Sequence, residues 1–360
     1  MNHYIIFSNA SGYGGAEKSL ELIVKRLADS NDFITVFAEN NSHIESLKII
    51  QGVKVVSLRK GNGIIATIYN LWIILCTFVR AQNSYILTNT NKGAMYLSLI
   101  SQIYPIDQRR VIVYIRDFQW KYVKFIFRKL SDVNIAVPSL AVAENSKYKD
   151  FLKNYDVFVT GNPVVSNSID KIKRNNSLSP YVLCLANISR WKGLDYLLKA
   201  YNKSMLWKKG ISLQIVGRVA QNEDLVHYVK QNNLTPFVIF KSFVNDTASL
   251  YNECLFVVNS SISEYGGPET FGRTIIEAWS FCKAPISFAV GGPKYIIKNE
   301  YNGLLVKEKD IDSLSQAMQK LAFDGSLRNK LAQNGYLETK RKYTAESVVN
   351  KLMKIWRIKE

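Results

Sequence analysis

The sequence predicts an α/β protein made of two Rossmann-like, doubly wound domains that face each other across a cleft. Three observations carry that expectation. The chain has 360 residues, too many for one ordinary core and enough for two domains of roughly 150–200 residues each. Short runs rich in β-branched and aromatic residues alternate with longer segments of helical period. That alternation restarts after a polar stretch in the middle of the chain.

The first strand expected is YIIFS at 4–8, which runs into a glycine loop. After it Leu20, Ile23, Val24 and Leu27 recur at i, i+3, i+4 and i+7, one face of a helix. Further strands are expected at 33–38, 53–58, 85–88, 111–115 and 133–137. The segments between them are long enough for the crossover helices that parallel strands require. Residues 166–180, SNSIDKIKRNNSLSP, read as a linker. A second set of strands is expected at 181–186, 211–216, 237–240, 255–258 and 284–288. Thr344 is placed to cap a last helix carrying Val348, Val349, Leu352, Ile355 and Trp356 on its apolar face. The domains expected are therefore 1–165 and 166–343, with a C-terminal helix, 344–360, packing back on the first. In open sheets of this kind ligands bind at the carboxyl ends of the strands.

Hydrophobic residues make up 47% and charged residues 21%, with a mean hydropathy of −0.06, which excludes a disordered or fibrous chain. Lys and Arg number 47 against 29 Asp and Glu, a net +18 that both halves share. Such a field attracts phosphates, anionic lipid or nucleic acid. Cys76, Cys184, Cys254 and Cys282 are far apart in apolar surroundings, so neither a disulfide framework nor a metal pair is expected; they read as buried free thiols in a reducing cytoplasm. The opening MNHYIIFSNA lacks the pattern of a signal peptide. Residues 64–79 are uncharged, but this run is shorter than the roughly 20 apolar residues that span a bilayer, and Asn70 interrupts it. A buried or membrane-facing helix is expected there, in a soluble or peripheral protein.

Two segments could carry chemistry. The loop from Ser11 to Glu17 includes Gly14 and Gly15, which would let the backbone approach an anion at a helix N-terminus. It has neither the GxGxxG nor the GK[ST] spacing, so a plain strand–helix turn stays open. The stretch from Glu264 to Trp279 spaces Glu269 and Glu277 around Phe271, Gly272 and Arg273, with a helix expected to begin near Gly272. Backbone N–H groups at that positive helix end suit a diphosphate, and carboxylates accept sugar hydroxyls. A capping Glu269 and a solvated Glu277 are the alternative.

Residues 109–130 hold seven basic residues against Asp117, interleaved with aromatic ones. They fit an anionic membrane surface, a core-facing helix with solvated lysines, or single-stranded nucleic acid. Asp310-Ile311-Asp312 is formally a D-x-D, the metal-holding pattern of some sugar transferases, but it precedes the apolar pattern Ile311, Leu314, Met318 and Leu321. Helix capping is the better account, and no essential metal is expected.

The Glu269–Glu277 block, with GGAEKSL at 14–20, Asn187 to Gly193, Gly217, Gly291-Gly292-Pro293 and Asn302 to Val306, resembles the retaining GT-B glycosyltransferases of family 4, the glycosyl transferases group 1. The resemblance covers nearly the whole chain, densely from 181 to 306 and thinly between 40 and 110. It implies a retaining, metal-independent hexosyltransferase without a cofactor, using a nucleotide-sugar donor, UDP- or GDP-linked. Glu277 would accept from the ribose hydroxyls and Glu269 from those of the transferred sugar, beside Phe271, Gly272 and Arg273. Lys192 would meet the diphosphate, with Gly14 and Gly15 facing it from the first domain and Gly217 near the nucleotide. Two positions depart from the family. Asn187 stands where an arginine is frequent, with Arg190 as a substitute charge. Arg116-Asp117 stands where His-Asp is frequent, which makes these two candidates for the catalytic centre with Glu269; a surface Arg116 pairing Asp117 is the alternative.

The acceptor expected is a lipid-carrier-linked glycan of bacterial surface polysaccharide such as O-antigen or capsule. The enzyme would be cytoplasmic, peripheral on the membrane through 109–130, and without a nucleic-acid partner. A non-catalytic glycan- or partner-binding protein, a sugar-nucleotide 2-epimerase and a nucleic-acid binder are the rivals.

Overall fold

The computed structural model describes all residues except 31, 62, 146, 166–179, 188, 218–222, 245 and 359–360. The chain divides into two units, Met1–Pro163 with Ala345–Glu360, and Val164–Thr344. The linker expected at 166–180 falls on 166–179, outside the described residues.

The first unit alternates β1 (His3–Ser8), α1 (Gly15–Ala28), β2 (Phe33–Ala38), α2 (Asn41–Lys48), β3 (Val53–Ser57), α3 (Ile64–Arg80), β4 (Tyr85–Thr88) and α4 (Asn91–Ile100). It continues with β5 (Val111–Tyr114), α5 (Val123–Lys129), β6 (Asn134–Val137), the short helices α6 (Leu140–Ala143) and α7 (Lys149–Leu152), and β7 (Val157–Val159). The sheet order is β3-β2-β1-β4-β5-β6-β7, all parallel, with Ile5 opposite both Thr35 and Ile86. Central strands of such a sheet are covered on both faces, so they read as continuous apolar runs. Ile5, Ile6 and Phe7 are accordingly buried. One face packs on Leu20, Ile23, Val24 and Leu27 of α1, and the other on Ile74, Phe78, Leu97 and Phe127 of α3, α4 and α5.

The second unit runs β8 (Tyr181–Leu185), α8 (Leu194–Ser204), β9 (Ser212–Val216), α9 (Glu223–Gln231), β10 (Val238–Lys241), α10 (Ala248–Glu253) and β11 (Phe256–Asn259). Then come α11 (Arg273–Ser280), β12 (Pro285–Phe288), α12 (Gly291–Ile296), β13 (Leu304–Val306), α13 (Ile311–Phe323) and α14 (Gly325–Lys342). Its parallel sheet has the order β10-β9-β8-β11-β12-β13. The order reverses between β1 and β4 in one unit and between β8 and β11 in the other, the switch points where doubly wound sheets bind ligands.

The last helix, α15 (Ala345–Arg357), belongs to the first unit. Its Val348, Val349, Leu352, Ile355 and Trp356 are buried, and the Trp356 indole N–H donates to the Ile86 carbonyl at 3.1 Å. The other strands lie where the sequence puts them to within a residue, but β7 and β13 go beyond it. Both have three residues and sit at the end of a sheet, too short for a period to show. Cys184 and Cys254 are buried, and burial pushes both thiols up to about 12. Cys76 and Cys282 are only half-buried, which corrects the expectation for those two. Cys282 packs at the rim of the second unit's core, and Cys76 lies on α3 beside its exposed face. Asp310 caps α13, accepting from the Ser313 N–H at 2.9 Å, while Asp312 pairs with Lys203.

Candidate functional site

The carboxyl edge of the second sheet gathers most of the donor-site residues predicted. A single 3₁₀ turn, Arg190–Lys192, follows β8 and ends at Gly193 in the left-handed region (φ +60°). A Cβ on Gly193 would lie 2.2 Å from the Ser260 carbonyl oxygen, so only glycine lets this turn reach the chain leaving β11. The Ser260 hydroxyl donates to the Lys192 carbonyl at 2.8 Å, and the Ile262 N–H to that of Trp191 at 2.7 Å. These bonds fix the backbone from which the Lys192 side chain extends.

Lys192 Nζ donates to Glu269 Oε1 at 2.6 Å. The Asn259 amide (2.9 Å) and the Ser261 hydroxyl (3.0 Å) donate to the same oxygen. Only 14% of the lysine side chain and 11% of the glutamate side chain reach solvent. Burial alone would raise the Glu269 carboxyl, but the Lys192 charge and the three donors outweigh it and hold the carboxyl below its usual range. Oε2 carries no hydrogen bond among the described residues.

Glu269 therefore does not cap the helix that follows it. That role falls to Gly272, at φ +96°, immediately before α11. One turn into α11, Glu277 Oε1 accepts from Arg273 Nε and Nη2 at 3.0 and 2.8 Å, and Oε2 from the Tyr251 hydroxyl at 2.9 Å. Both acidic residues are thus held partly buried by protein donors, and neither is simply solvated. Asn259 Nδ2 also donates to Thr274 Oγ1 at 3.1 Å, which ties the Glu269 cluster to the first turn of α11.

The glycine pair at 291–292 supports this block from below. The Gly292 N–H donates to the Glu269 carbonyl at 2.7 Å, and a Cβ there would lie 2.3–2.6 Å from the Phe271 backbone. Phe271 is buried against Tyr343 rather than open to a ligand, so only its backbone can serve one. Gly217 packs on the Ala186 carbonyl, where a Cβ would come within 2.0 Å. Asn187 and Arg190 are exposed at the same edge, and the Arg190 guanidinium lies 4.6 Å from the Tyr265 ring.

In the first unit the loop after β1 is exposed, and the Glu17 carboxylate accepts from the Gly14 N–H at 2.8 Å. A Cβ on Gly12 would meet nothing within 4 Å, and one on Gly14 only the Glu17 side chain at 3.7 Å. The fold does not demand glycine at either position. Arg116 is not a surface arginine paired with Asp117. It is buried at the end of β5, stacked 3.9 Å from the Tyr114 ring and donating to Asn162 Oδ1 at 2.8 Å. Asp117 reaches solvent and accepts from the Gln119 N–H at 2.7 Å, yet desolvation by its surroundings raises its carboxyl.

Asn259, Ser261 and Tyr251 are the site residues that sequence reasoning missed. Asn259 and Ser261 left one signal, a polar step at the end of the apolar run LFVV. Tyr251 left none. Among the described residues no three His, Cys, Asp or Glu side chains are grouped as metal ligands.

Two parallel, doubly wound units of these orders are the GT-B fold of glycosyltransferases. Residues 165–338, the second unit but for its ends, match the family described as Glycosyl transferases group 1. An uncharacterized glycosyltransferase of Methanocaldococcus jannaschii is 27% identical over 179 residues, 49% of this chain and 44% of the relative. The capsular polysaccharide biosynthesis glycosyltransferase CapM of Staphylococcus aureus is 22% identical over 296 residues, 73% of this chain and 74% of the relative. The chain spans about half the length of the first curated relatives it matches. The structure of HepE from Anabaena, in complex with UDP and glucose, superposes with a TM-score of 0.78 at 18% identity, over 99% of this chain and 100% of that one.

Proposed function

We propose that the protein is a retaining glycosyltransferase that moves a hexose from a UDP- or GDP-sugar to a lipid-carrier-linked glycan in bacterial surface-polysaccharide synthesis. The observation that carries this reading is the Lys192–Glu269 pair, fastened through Asn259 to the first turn of α11, with Glu277 one turn further on. It puts a cation for phosphate, a carboxylate for sugar hydroxyls and a helix N-terminus within one loop cluster. The free Oε2 of Glu269 would accept from the transferred sugar, and Glu277 from the ribose. Lys192, Arg190 and the N–H groups at Gly272 and Arg273 would meet the charge that develops on the departing diphosphate, which is electrostatic stabilisation without a metal.

The first unit would hold the acceptor, with Gly14 and Gly15 turned to the donor phosphates and Asp117 and Arg116 near the reacting centre. Retention would follow from front-face attack, without a covalent enzyme intermediate. The capsular relative and the UDP and glucose bound to HepE support the donor and acceptor classes. The exposed Lys121, Lys124 and Lys129 support membrane contact through 109–130, on the cytoplasmic face.

A thermal-shift screen of UDP-, GDP-, ADP- and dTDP-sugars tests the donor, since a ligand that binds only the native state raises its melting temperature. Stabilisation by one UDP- or GDP-sugar, followed by NMR of the product anomer, is the outcome expected. No shift with any of them would overturn the reading.

A further inference from the structure

Helix α3 carries an exposed apolar stripe that the sugar-transfer reading does not use. Ile64 and Ile65 are 79% and 77% exposed, Ile68 and Trp72 are each 62% exposed, and Val79 follows at the far end. At 100° per residue these five lie within an arc of about 100°, along a helix of 17 residues. The opposite face holds Asn70, Ile74 and Phe78, buried in the first unit. The helix contains no acidic residue, and Arg80 at its end is its only charge. A contiguous apolar row of this kind on a surface marks an interaction site.

The surroundings of the stripe select its partner. Buried Asn70 donates to the Arg59 carbonyl at 3.0 Å and accepts from the Arg59 N–H at 2.8 Å, so it fastens the exposed Arg59-Lys60 step beside α3. Helix α4 lies between α3 and α5, and Asn91 at its start donates to the Lys121 carbonyl at 2.9 Å. The amino ends of α3, α4 and α5 all follow the carboxyl ends of parallel strands, which puts them along one edge of the sheet. Exposed Lys121, Tyr122, Lys124 and Phe125 share that edge with Ile64 and Ile65. Of the described carboxylates at that edge, Glu39 is bonded to Lys92 at 2.8 Å, and Asp117 is exposed.

We infer that the α3 stripe is the element that enters the bilayer. It lies in the plane of an anionic membrane, with Arg59, Lys60, Lys121 and Lys124 at the phosphates and Tyr122 and Phe125 at the headgroup level. An in-plane helix needs an apolar face of this form with cations beside it. No helix among the described residues is long and apolar enough to cross a membrane. The inference takes the membrane from the reading above but moves the apolar anchor from 109–130 to α3.

The test is sedimentation of the full chain with vesicles of phosphatidylcholine containing phosphatidylglycerol, and with phosphatidylcholine alone, at low and high salt. The variant I64S/I68S/W72S is expected to lose at least about tenfold in partitioning at both salt concentrations, since each substitution removes an apolar side chain that the bilayer would bury. The variant K121E/K124E is expected to weaken binding at low salt only. Brominated lipid should quench part of the tryptophan fluorescence in wild type, and Trp72→Phe should remove that part. The substituted side chains are exposed, so unchanged circular dichroism and melting temperature show that the variants fold.

Wild-type partitioning by the triple variant, or no quenching at Trp72, would overturn the inference. So would a solution dimer that the triple variant converts to monomer while vesicles bind neither form. Donor binding by calorimetry is measured on the same samples. Its absence from wild type would sink the sugar-transfer reading and leave the vesicle result standing.

Discussion

Lys192 and Glu269 stand 77 residues apart in sequence and 2.6 Å apart in space, joined across the carboxyl edge of the second sheet. Each is the nearest counter-charge of the other, and Asn259 and Ser261 complete the shell around the shared oxygen. On the proposed reading, ligand recognition and local stability depend on the same four side chains.

Removing the lysine isolates a carboxylate that is largely out of water. Lys192→Met should cost about 2–3 kcal/mol in urea unfolding, below the range for fully buried pairs because both side chains still touch solvent. The double variant Lys192→Met/Glu269→Gln should recover most of that loss. A single variant as stable as wild type would mean that the pair does not hold the two loops together.

Acid should expose the same coupling. The folded carboxyl of Glu269 lies below its unfolded value, so its contribution is present above about pH 4.3 and drains away as pH falls toward the folded value. Melting temperature against pH should fall more steeply for wild type than for Glu269→Gln below about pH 4.5. Parallel curves would contradict this.

Kinetics should separate the two acidic residues. Glu277→Ala should raise the donor KM, since on the proposed reading it removes a contact made before and during reaction. Glu269→Ala should chiefly lower kcat, by about a hundredfold, if its contacts strengthen in the transition state. Tyr251→Phe frees one oxygen of Glu277 and should raise the donor KM more modestly. Wild-type-like kinetics in both glutamate variants would remove the site assignment.

These partners explain how far the sequence can be read. Central strands such as Ile5–Phe7 announce themselves because burial on both faces leaves an unbroken apolar run. Val157–Val159 and Leu304–Val306 do not, since three residues at a sheet edge give no period. Glu269 and Glu277 are legible because they share one segment with Phe271, Gly272 and Arg273, although most of their partners lie outside it. Asn259 and Tyr251 reach the site through the sheet and through α10, and such convergence leaves no spacing to read. The burial of Arg116, which rules out only the surface pairing with Asp117, is hidden from the sequence for a related reason: it is set by Tyr114 and by Asn162, which lies 46 residues away.

The D-x-D at 310–312 should behave as a cap. Asp310 accepts from both the N–H and the hydroxyl of Ser313, so Asp310→Ala should cost about 1 kcal/mol. Asp312, paired with Lys203 on the surface, should cost less than about 0.5 kcal/mol when replaced by alanine. Sugar transfer by both variants should match wild type with and without a chelator. Loss of transfer that added Mg²⁺ or Mn²⁺ restores would assign the motif to a metal instead.

Glycine provides the last and sharpest separation, because the two glycine pairs are glycine for different reasons. At Gly292 the fold itself requires it: a Cβ would press on three backbone atoms of Phe271 that cannot swing away. Gly292→Ala should shift the loop carrying Glu269, lowering stability by about 1–3 kcal/mol and activity with it. At Gly14 the backbone is extended (φ −152°), a conformation that any residue adopts, and a Cβ would meet only the Glu17 carboxylate, at an ordinary contact distance of 3.7 Å. Serine is also a favoured residue at the start of a helix, so Gly14→Ser should leave the melting temperature unchanged or slightly raised. If the loop approaches the donor phosphates, that same variant should raise the donor KM by about tenfold or more, because the new side chain occupies space the ligand needs. Intact kinetics in Gly14→Ser would show that the loop is a plain strand–helix turn.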